Sequence, residues 1–288
     1  MTFGKRSKTY RARWKIRRGF DRAAGCGNRP GGYAAGMFSE FLTLAQAYYY
    51  GGHSHGPMGI SMTYWLIIGG SMLASLLVSG MMKHRFREYG QEPMPITGAQ
   101  VAELMLRQNG ITDVRVVSVP GHLTDHYDPV SKTVNLSEPV YHEASVAAAA
   151  VAAHECGHAV QHQQAYAWLT FRSKMVPAVQ LSSNLLNYLM IAGILGLSVF
   201  RSPTLMWVWV ALFAVTTLFS IVTLPVEFDA SRRALAWIDR SGLAASMQHR
   251  KAEKALFWAA MTYVVAALGS LAQLLYYVSL LLGNQRRN

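Results

Sequence analysis

Val151-Ala-Ala-His-Glu-Cys-Gly-His-Ala-Val160 holds the pattern His154-Glu155-x-x-His158. A helix turns about 100° per residue, so His158 lies about 40° round from His154 and one turn further along. Both imidazoles point the same way. Glu155 stands about 100° round from His154, beside that shared point but not on it. Two imidazole nitrogens on one helix face suit a tetrahedral zinc shell with one position left for water. A carboxylate beside the open position can take the water's proton. Five residues therefore supply two ligands and a general base.

With ten His and nine Glu in 288 residues, random placement gives this pattern in roughly one sequence in a hundred. The surroundings decide its weight. The preceding run, Ser145-Val-Ala-Ala-Ala-Ala-Val-Ala-Ala153, is small-sided and strongly helix-favouring. Gly157 falls between base and second ligand, where another element can approach closely. Cys156 lies about 160° round from His158, which makes it a buried small hydrophobe rather than a ligand.

Away from this helix the chain is apolar. Hydrophobic residues make up 51% of it, in uncharged runs long enough to span a bilayer. The net charge of +12 is concentrated: residues 1–36 hold ten Lys/Arg against one Asp. This basic arm reads as a disordered solvated segment, or as sequence upstream of a true start at Met37. No apolar run follows it closely enough for a secretory signal. It lacks the aromatic-basic interleaving of a nucleic-acid module, so no nucleic acid is expected. Cys26 and Cys156 give no disulfide framework.

Residues 37–57 read as an N-terminal loop, with Tyr48-Tyr-Tyr50 near an interface and a His53/His55 pair too sparse to hold a metal. Residues 58–82 are a first transmembrane helix, and Lys83-His-Arg85-Phe-Arg87 marks its cytoplasmic end. A polar domain follows over residues 83–174. In it, the capping box Thr97-x-x-Gln100 opens a helix with the stripe Val101, Leu104 and Met105, and Asn109-Gly110 ends it. Val114, Val116 and Val119 suggest a short strand. Two strand-like runs flank Asp128-Pro129 as a hairpin, and the metal-binding helix runs from near Ser145 to about Gln163. Residues 175–200 and 202–226 are uncharged and form a helical hairpin across the bilayer. Residues 227–254 are basic and cytoplasmic, and 255–283 are a fourth span. Four spans put residues 83–174 and 227–254 on one face, and the basic arm on the other. The expected fold is mainly α: a multi-pass helical membrane protein carrying a small cytoplasmic α+β domain of one helix, a short strand hairpin and the HExxH helix.

A third ligand is needed. A His six residues beyond His158, after a Gly at three, is one solution, but Gln161 and Gln164 stand there. His162 is one turn on and reads as structural or supporting. The other solution takes a Glu from a later helix, and Glu227, directly after Pro225-Val226, suits it. The plainer reading of Glu227 is a first-turn carboxylate favoured by the helix dipole.

Three segments together, Leu123-Thr-Asp-His-Tyr-Asp-Pro129, His154-Glu-x-Gly-His-Ala-x-Gln161 and Leu224-Pro-Val-Glu-Phe-Asp-Ala-Ser-Arg-Arg-Ala234, resemble the YugP-like family of membrane neutral zinc metallopeptidases. The likeness covers roughly residues 60–283. It implies a bacterial plasma-membrane protein with a zincin-like domain, binding one Zn2+ per chain through His154, His158 and Glu227, with Glu155 catalytic. The layout is also similar to the membrane gluzincins that include the heat-shock protease HtpX. That group has Asp four residues after the ligand Glu; here Ser231 stands there and Asp229 two residues earlier, so either could support a ligand His.

The expected chemistry is hydrolysis of a peptide bond by a zinc-bound water that Glu155 deprotonates, with a role in turnover of membrane proteins. His126 and Tyr127 of the hairpin are candidate oxyanion donors, ahead of Arg232 and Arg233. An edge strand near Lys132–Ser137 could pair with an extended, unfolded polypeptide substrate. Two other classes fit parts of the sequence. A silent membrane scaffold with a structural zinc would need the histidines but not Glu155. A transporter could use the intramembrane Gln180, Asn184, Asn187 and Gln273, but no ionisable residue lies deep in a span.

Overall fold

The computed structural model describes residues 62–195, 202–244 and 246–285. The expectations for the arm at 1–36 and the loop at 37–57 lie outside the described residues, as do residues 58–61 of the first span and 196–200 of the second. The described elements are α1 (Met62–Tyr89), α2 (Gly98–Gln108), β1 (Arg115–Val119), β2 (His126–Asp128), β3 (Thr133–Ser137), α3 (Glu138–His142), α4 (Val146–Gln163), α5 (Ala167–Ile194), α6 (Pro203–Ser241) and α7 (Ser246–Gln285).

Local chemistry accounts for the starts of the small elements. Thr97 Oγ1 accepts from the Gln100 backbone N–H at 3.3 Å, and Gln100 Oε1 accepts from the Thr97 N–H at 2.9 Å, the reciprocal box that opens α2. Ser145 Oγ caps α4 by accepting from Ala148 N–H at 3.2 Å. Asp128 bends the chain between β2 and β3: its carboxylate accepts from Val130 N–H at 2.8 Å and Ser131 Oγ–H at 2.7 Å.

The hairpin is present, within a three-stranded sheet ordered β1-β3-β2. β1 runs parallel to β3, with Val117 opposite Asn135, and β2 runs antiparallel to it, with Tyr127 opposite Val134. This corrects the edge-strand expectation. The strand in that stretch, Thr133–Ser137, is the centre of the sheet, paired on both sides and buried along its length. The edge on the α4 side is β2.

Two packed cores organise the described residues. One joins α2, β3, α4, the C-terminal part of α6 and the start of α7, through Val101, Met105, Leu136, Ala153, Trp237 and Leu256. The other gathers Tyr64 and Ile68 of α1, Met190 of α5, Met206 and Trp209 of α6, and Tyr277 of α7. The long helices α1, α6 and α7 thus run between a mixed α/β end and an all-helical end, which α5 joins through Met190. Among the described residues, three helices are long and apolar enough to cross a membrane: α1, α6 and most of α7. The chain is a mainly helical membrane protein.

Pro225 corrects a second expectation. Glu227 does not open a new helix. α6 is continuous from Pro203 to Ser241 with Pro225 inside it. A carboxylate more than twenty residues from the helix N-terminus gains nothing from the dipole, whose influence fades within the first turn. The dipole explanation of Glu227 falls away.

Candidate metal centre

α4 and α6 cross at Gly157. A Cβ placed there would lie 2.6 Å from Ala230 O, so only glycine allows this approach. The crossing brings Glu227 of α6 to the two histidines of α4. Glu227 Oε2 lies 3.3 Å from His154 Nε2 and 3.7 Å from His158 Nε2. The two rings meet at 85° with centroids 4.8 Å apart. Donors about 2.0–2.1 Å from a tetrahedral ion stand about 3.3–3.4 Å from one another. These three residues, two histidines and a carboxylate, could hold a metal ion of that kind.

The surrounding hydrogen bonds point the same way. Gln161 is fully buried and its amide Nε2 donates twice, to Val226 O and to Asp229 Oδ2, each at 2.8 Å. Its Oε1 then faces His158 Nδ1 at 3.0 Å, which places the proton on Nδ1. His158 Nε2 is the ring nitrogen turned toward Glu227 Oε2. His158 Nε2 and Glu227 Oε2 facing each other in this half-buried place suit a cation held between them. His154 Nδ1 has its own partner in Ser231 Oγ at 3.1 Å. Both supporting candidates therefore stand behind the histidines, Ser231 directly and Asp229 through Gln161. Outer partners of this kind fix the tautomer and orientation of ligand histidines.

Glu155 stands beside this group, almost buried, and its Oε2 accepts from Tyr127 N–H at 3.0 Å. Burial pushes its carboxyl up to about 7, against the pull of His154, while Asp125 and Glu227 add to the rise. Asp125 is fastened in turn by Ser137, whose N–H donates at 2.7 Å and whose hydroxyl donates at 3.0 Å. Burial raises the Asp125 carboxyl too. The site opens into a cleft of about 420 Å³, with Asp125, His126 and Tyr127 on one wall, Leu169 and Arg172 on the other, and Tyr263 of α7 nearby.

The hairpin side chains line the cleft but are engaged. His126 Nδ1 lies 2.8 Å from Thr124 O, and Nε2 lies 3.2 Å from Asn135 Nδ2. Tyr127 directs its phenol to His162 Nδ1 at 2.9 Å, and burial lifts that phenol to about 12. What Tyr127 presents to Glu155 is its backbone. His162 supports Tyr127 and lines the cleft, in line with a supporting role. Arg232 and Arg233 depart from expectation. They bond to Asp229, Arg233 also to Gln164 at 2.5 Å, and neither lines the cleft. Their position on α6, five and six residues past Glu227, turns them off its face. Arg232 lines a separate groove of about 490 Å³ between α6 and α7, which holds none of the three donors. Cys156 is fully buried, with Sγ 3.5 Å from Ala102 O, and is no ligand.

Two residues came without a sequence signal strong enough to single them out. Gln161 lies three positions after His158, a spacing that puts it on the same helix face. Arg172 is 55 residues from Glu227, yet its Nη1 donates to Glu227 Oε1 at 3.2 Å.

Comparisons with known proteins bear on the family rather than on single residues. The model of a family described as "Putative neutral zinc metallopeptidase" matches residues 64–282. The chain is 43% identical over 192 residues to a Bacillus subtilis protein named "Putative membrane protease YugP", covering 67% of this chain and 84% of that one. No solved structure matches.

Proposed function

Because the chain belongs to this family of neutral zinc metallopeptidases, we propose that it hydrolyses peptide bonds at the centre formed by His154, His158 and Glu227, with Glu155 as general base. The observation that carries the reading is the meeting of these three donors within 4.8 Å of one another, with Glu227 Oε2 3.3 and 3.7 Å from the two imidazole nitrogens, beside a buried carboxylate. Two nitrogens and one carboxylate oxygen, with an open position, are a donor set suited to a catalytic Zn2+, one per chain. Bound there, zinc supplies Lewis acidity, polarising a carbonyl and bringing the pKa of a water toward ~7.

The chain's own groups do the rest. Glu155, held by Tyr127 N–H, takes a proton from the attacking water and returns it to the leaving amine. Ser231 and the Gln161–Asp229 pair keep the histidines aimed. The oxyanion donor is drawn from the cleft wall. His126 and Tyr127 are the hairpin candidates, each needing to exchange a present partner. An extended, unfolded segment would lie along β2, because Tyr127, whose N–H points away from β3, turns its C=O to the same outer edge. Such main-chain pairing tolerates many side chains. The bilayer is the setting, with α5 as the fourth span and the metal centre on the cytoplasmic side of a bacterial plasma membrane, in turnover of membrane proteins.

The test compares wild type with Glu155→Gln, purified in detergent with zinc, on an unfolded protein substrate. Loss of about 10²–10⁴-fold in turnover is expected, with zinc content unchanged. Equal cleavage by both would sink the assignment of Glu155. Loss of zinc from the variant would move Glu155 from base to ligand.

A further inference from the structure

Glu227 shares its two oxygens between two sets of partners. Oε2 faces both histidine Nε2 atoms, at 3.3 and 3.7 Å. Oε1 instead accepts from Arg172 Nη1 at 3.2 Å. The carboxylate is 3% exposed and the arginine 18%, so this pair is not a surface ion pair of little consequence. The guanidinium is itself held from the side, 5.9 Å from the centroid of the Phe219 ring. Phe219 lies two turns before Glu227 on α6, so one helix supplies both the ring and the carboxylate that clamp Arg172.

We propose that Arg172 is a positioning residue of the metal centre: by holding Oε1 it makes Glu227 a one-oxygen ligand. This rests on the reading of His154, His158 and Glu227 as metal ligands. A free carboxylate next to a dication can offer both oxygens, which would fill the position a catalytic zinc must keep open for water or substrate. With Oε1 bonded to a cation that cannot lose its proton, only Oε2 remains. The arrangement also keeps two positive charges on opposite oxygens of one carboxylate, a charge-assisted contact that orients without competing for the ion. Arg172 lines the cleft, so the same contact fixes part of the cleft wall relative to the ligand.

Three variants, Arg172→Gln, Arg172→Lys and His154→Ala, are purified in detergent, stripped, and titrated with Zn2+ against a chromophoric chelator. Their Co2+ forms are then compared by visible absorption, which is intense for tetrahedral cobalt and weak for five-coordinate cobalt. Arg172→Gln is expected to lose about 10–100-fold in zinc affinity, the usual effect of removing an outer partner, and its cobalt spectrum should weaken as the second oxygen turns in. Arg172→Lys, which keeps the charge and one donor, should recover most of both. Wild-type zinc affinity and an unchanged cobalt spectrum in Arg172→Gln would overturn the proposal and leave Arg172 a pin between α5 and α6. If Arg172→Gln does not fold, Phe219→Leu carries the test. It removes only the supporting ring: a several-fold loss of affinity supports the proposal, and none overturns it. His154→Ala separates the two readings, since wild-type zinc binding in that variant would remove the metal centre itself.

Discussion

Each ligand histidine has a different outer partner, and the two have different consequences. Gln161 spends its amide N–H groups on Val226 O and Asp229 Oδ2, so its carbonyl is committed to His158. Replacing it by Leu leaves His158 Nδ1–H without an acceptor in a buried place, and exposes Asp229 to the loss of one of its three cationic or amide partners. Gln161→Leu is expected to weaken zinc binding about 10–100-fold, read by chelator competition. Ser231→Ala removes one hydroxyl from behind His154 and should fall at the lower end of that range. Tyr127 gives a sharper test, because its backbone, not its phenol, touches Glu155. Tyr127→Phe keeps the N–H and should leave turnover within about tenfold. A fall beyond about 10²-fold, of the size seen when an oxyanion donor is lost, would make the phenol that donor. The histidines, Glu155 and Glu227 were legible as types at spacings. Gln161 was visible as a residue but not as a role, because an i+3 neighbour on a helix is usually packing.

At the scale of elements, the site depends on one crossing. α4 is nearly all Ala, Val and Gly on its buried faces, which lets α6 come close enough for Ala230 O to sit over Gly157. Gly157→Ala places a methyl 2.6 Å from that oxygen, so the helices must part. Overpacking of this kind costs about 1–3 kcal/mol, and parting α4 from α6 separates His154 and His158 from Glu227. The expected outcome is a lower melting temperature together with weaker zinc binding. A stable variant with unchanged zinc affinity would mean that the crossing is looser than it stands. Gly157 was readable in advance as a site of close approach, since glycine inside a helix needs a packing reason. The sheet order was not. Alternating runs announced strands, and Asp128 announced a turn, but a parallel β1 inserts against β3 through pairing partners 18 residues away. Local pattern carries no information on which strand is central. The continuity of α6 was missed for a related reason: Pro225 predicts a break, and tertiary packing of Val222, Val226 and Ala230, all buried, holds the helix through it.

Over the whole molecule, the proposed metal centre joins residues of α4 and α6, so an ion held there would tie these two helices together. Ligand that binds only the folded state stabilises it by about 4 kcal/mol at a thousand times its dissociation constant. Chelation should therefore lower the thermal midpoint of the detergent-solubilised protein, and zinc should restore it. An unchanged midpoint would mean that no ion bridges these helices. The two cores also make a claim about sides. α1, α6 and α7 each have one end in the α/β core and the other in the distal core. Exposed Glu103 on α2 therefore lies at the end proposed to be cytoplasmic. A Glu103→Cys variant without the native cysteines should resist an impermeant thiol reagent in intact cells and react after permeabilisation. Labelling of intact cells would reverse the orientation.

The linear chain settled matters that depend on near neighbours and on composition. The uncharged runs, the helix caps at Thr97 and Ser145, and the metal-binding face of α4 are written in residues a few positions apart, where helix geometry turns spacing directly into direction. The tertiary structure decided everything that joins distant residues: that Glu227 arrives in mid-helix, that β2 is the strand at the cleft, that Gln161 reaches Asp229, and that Arg172 takes the second oxygen of Glu227. Those contacts follow from how helices cross and which face each buries, and a helix buries its face against partners that its own sequence does not name.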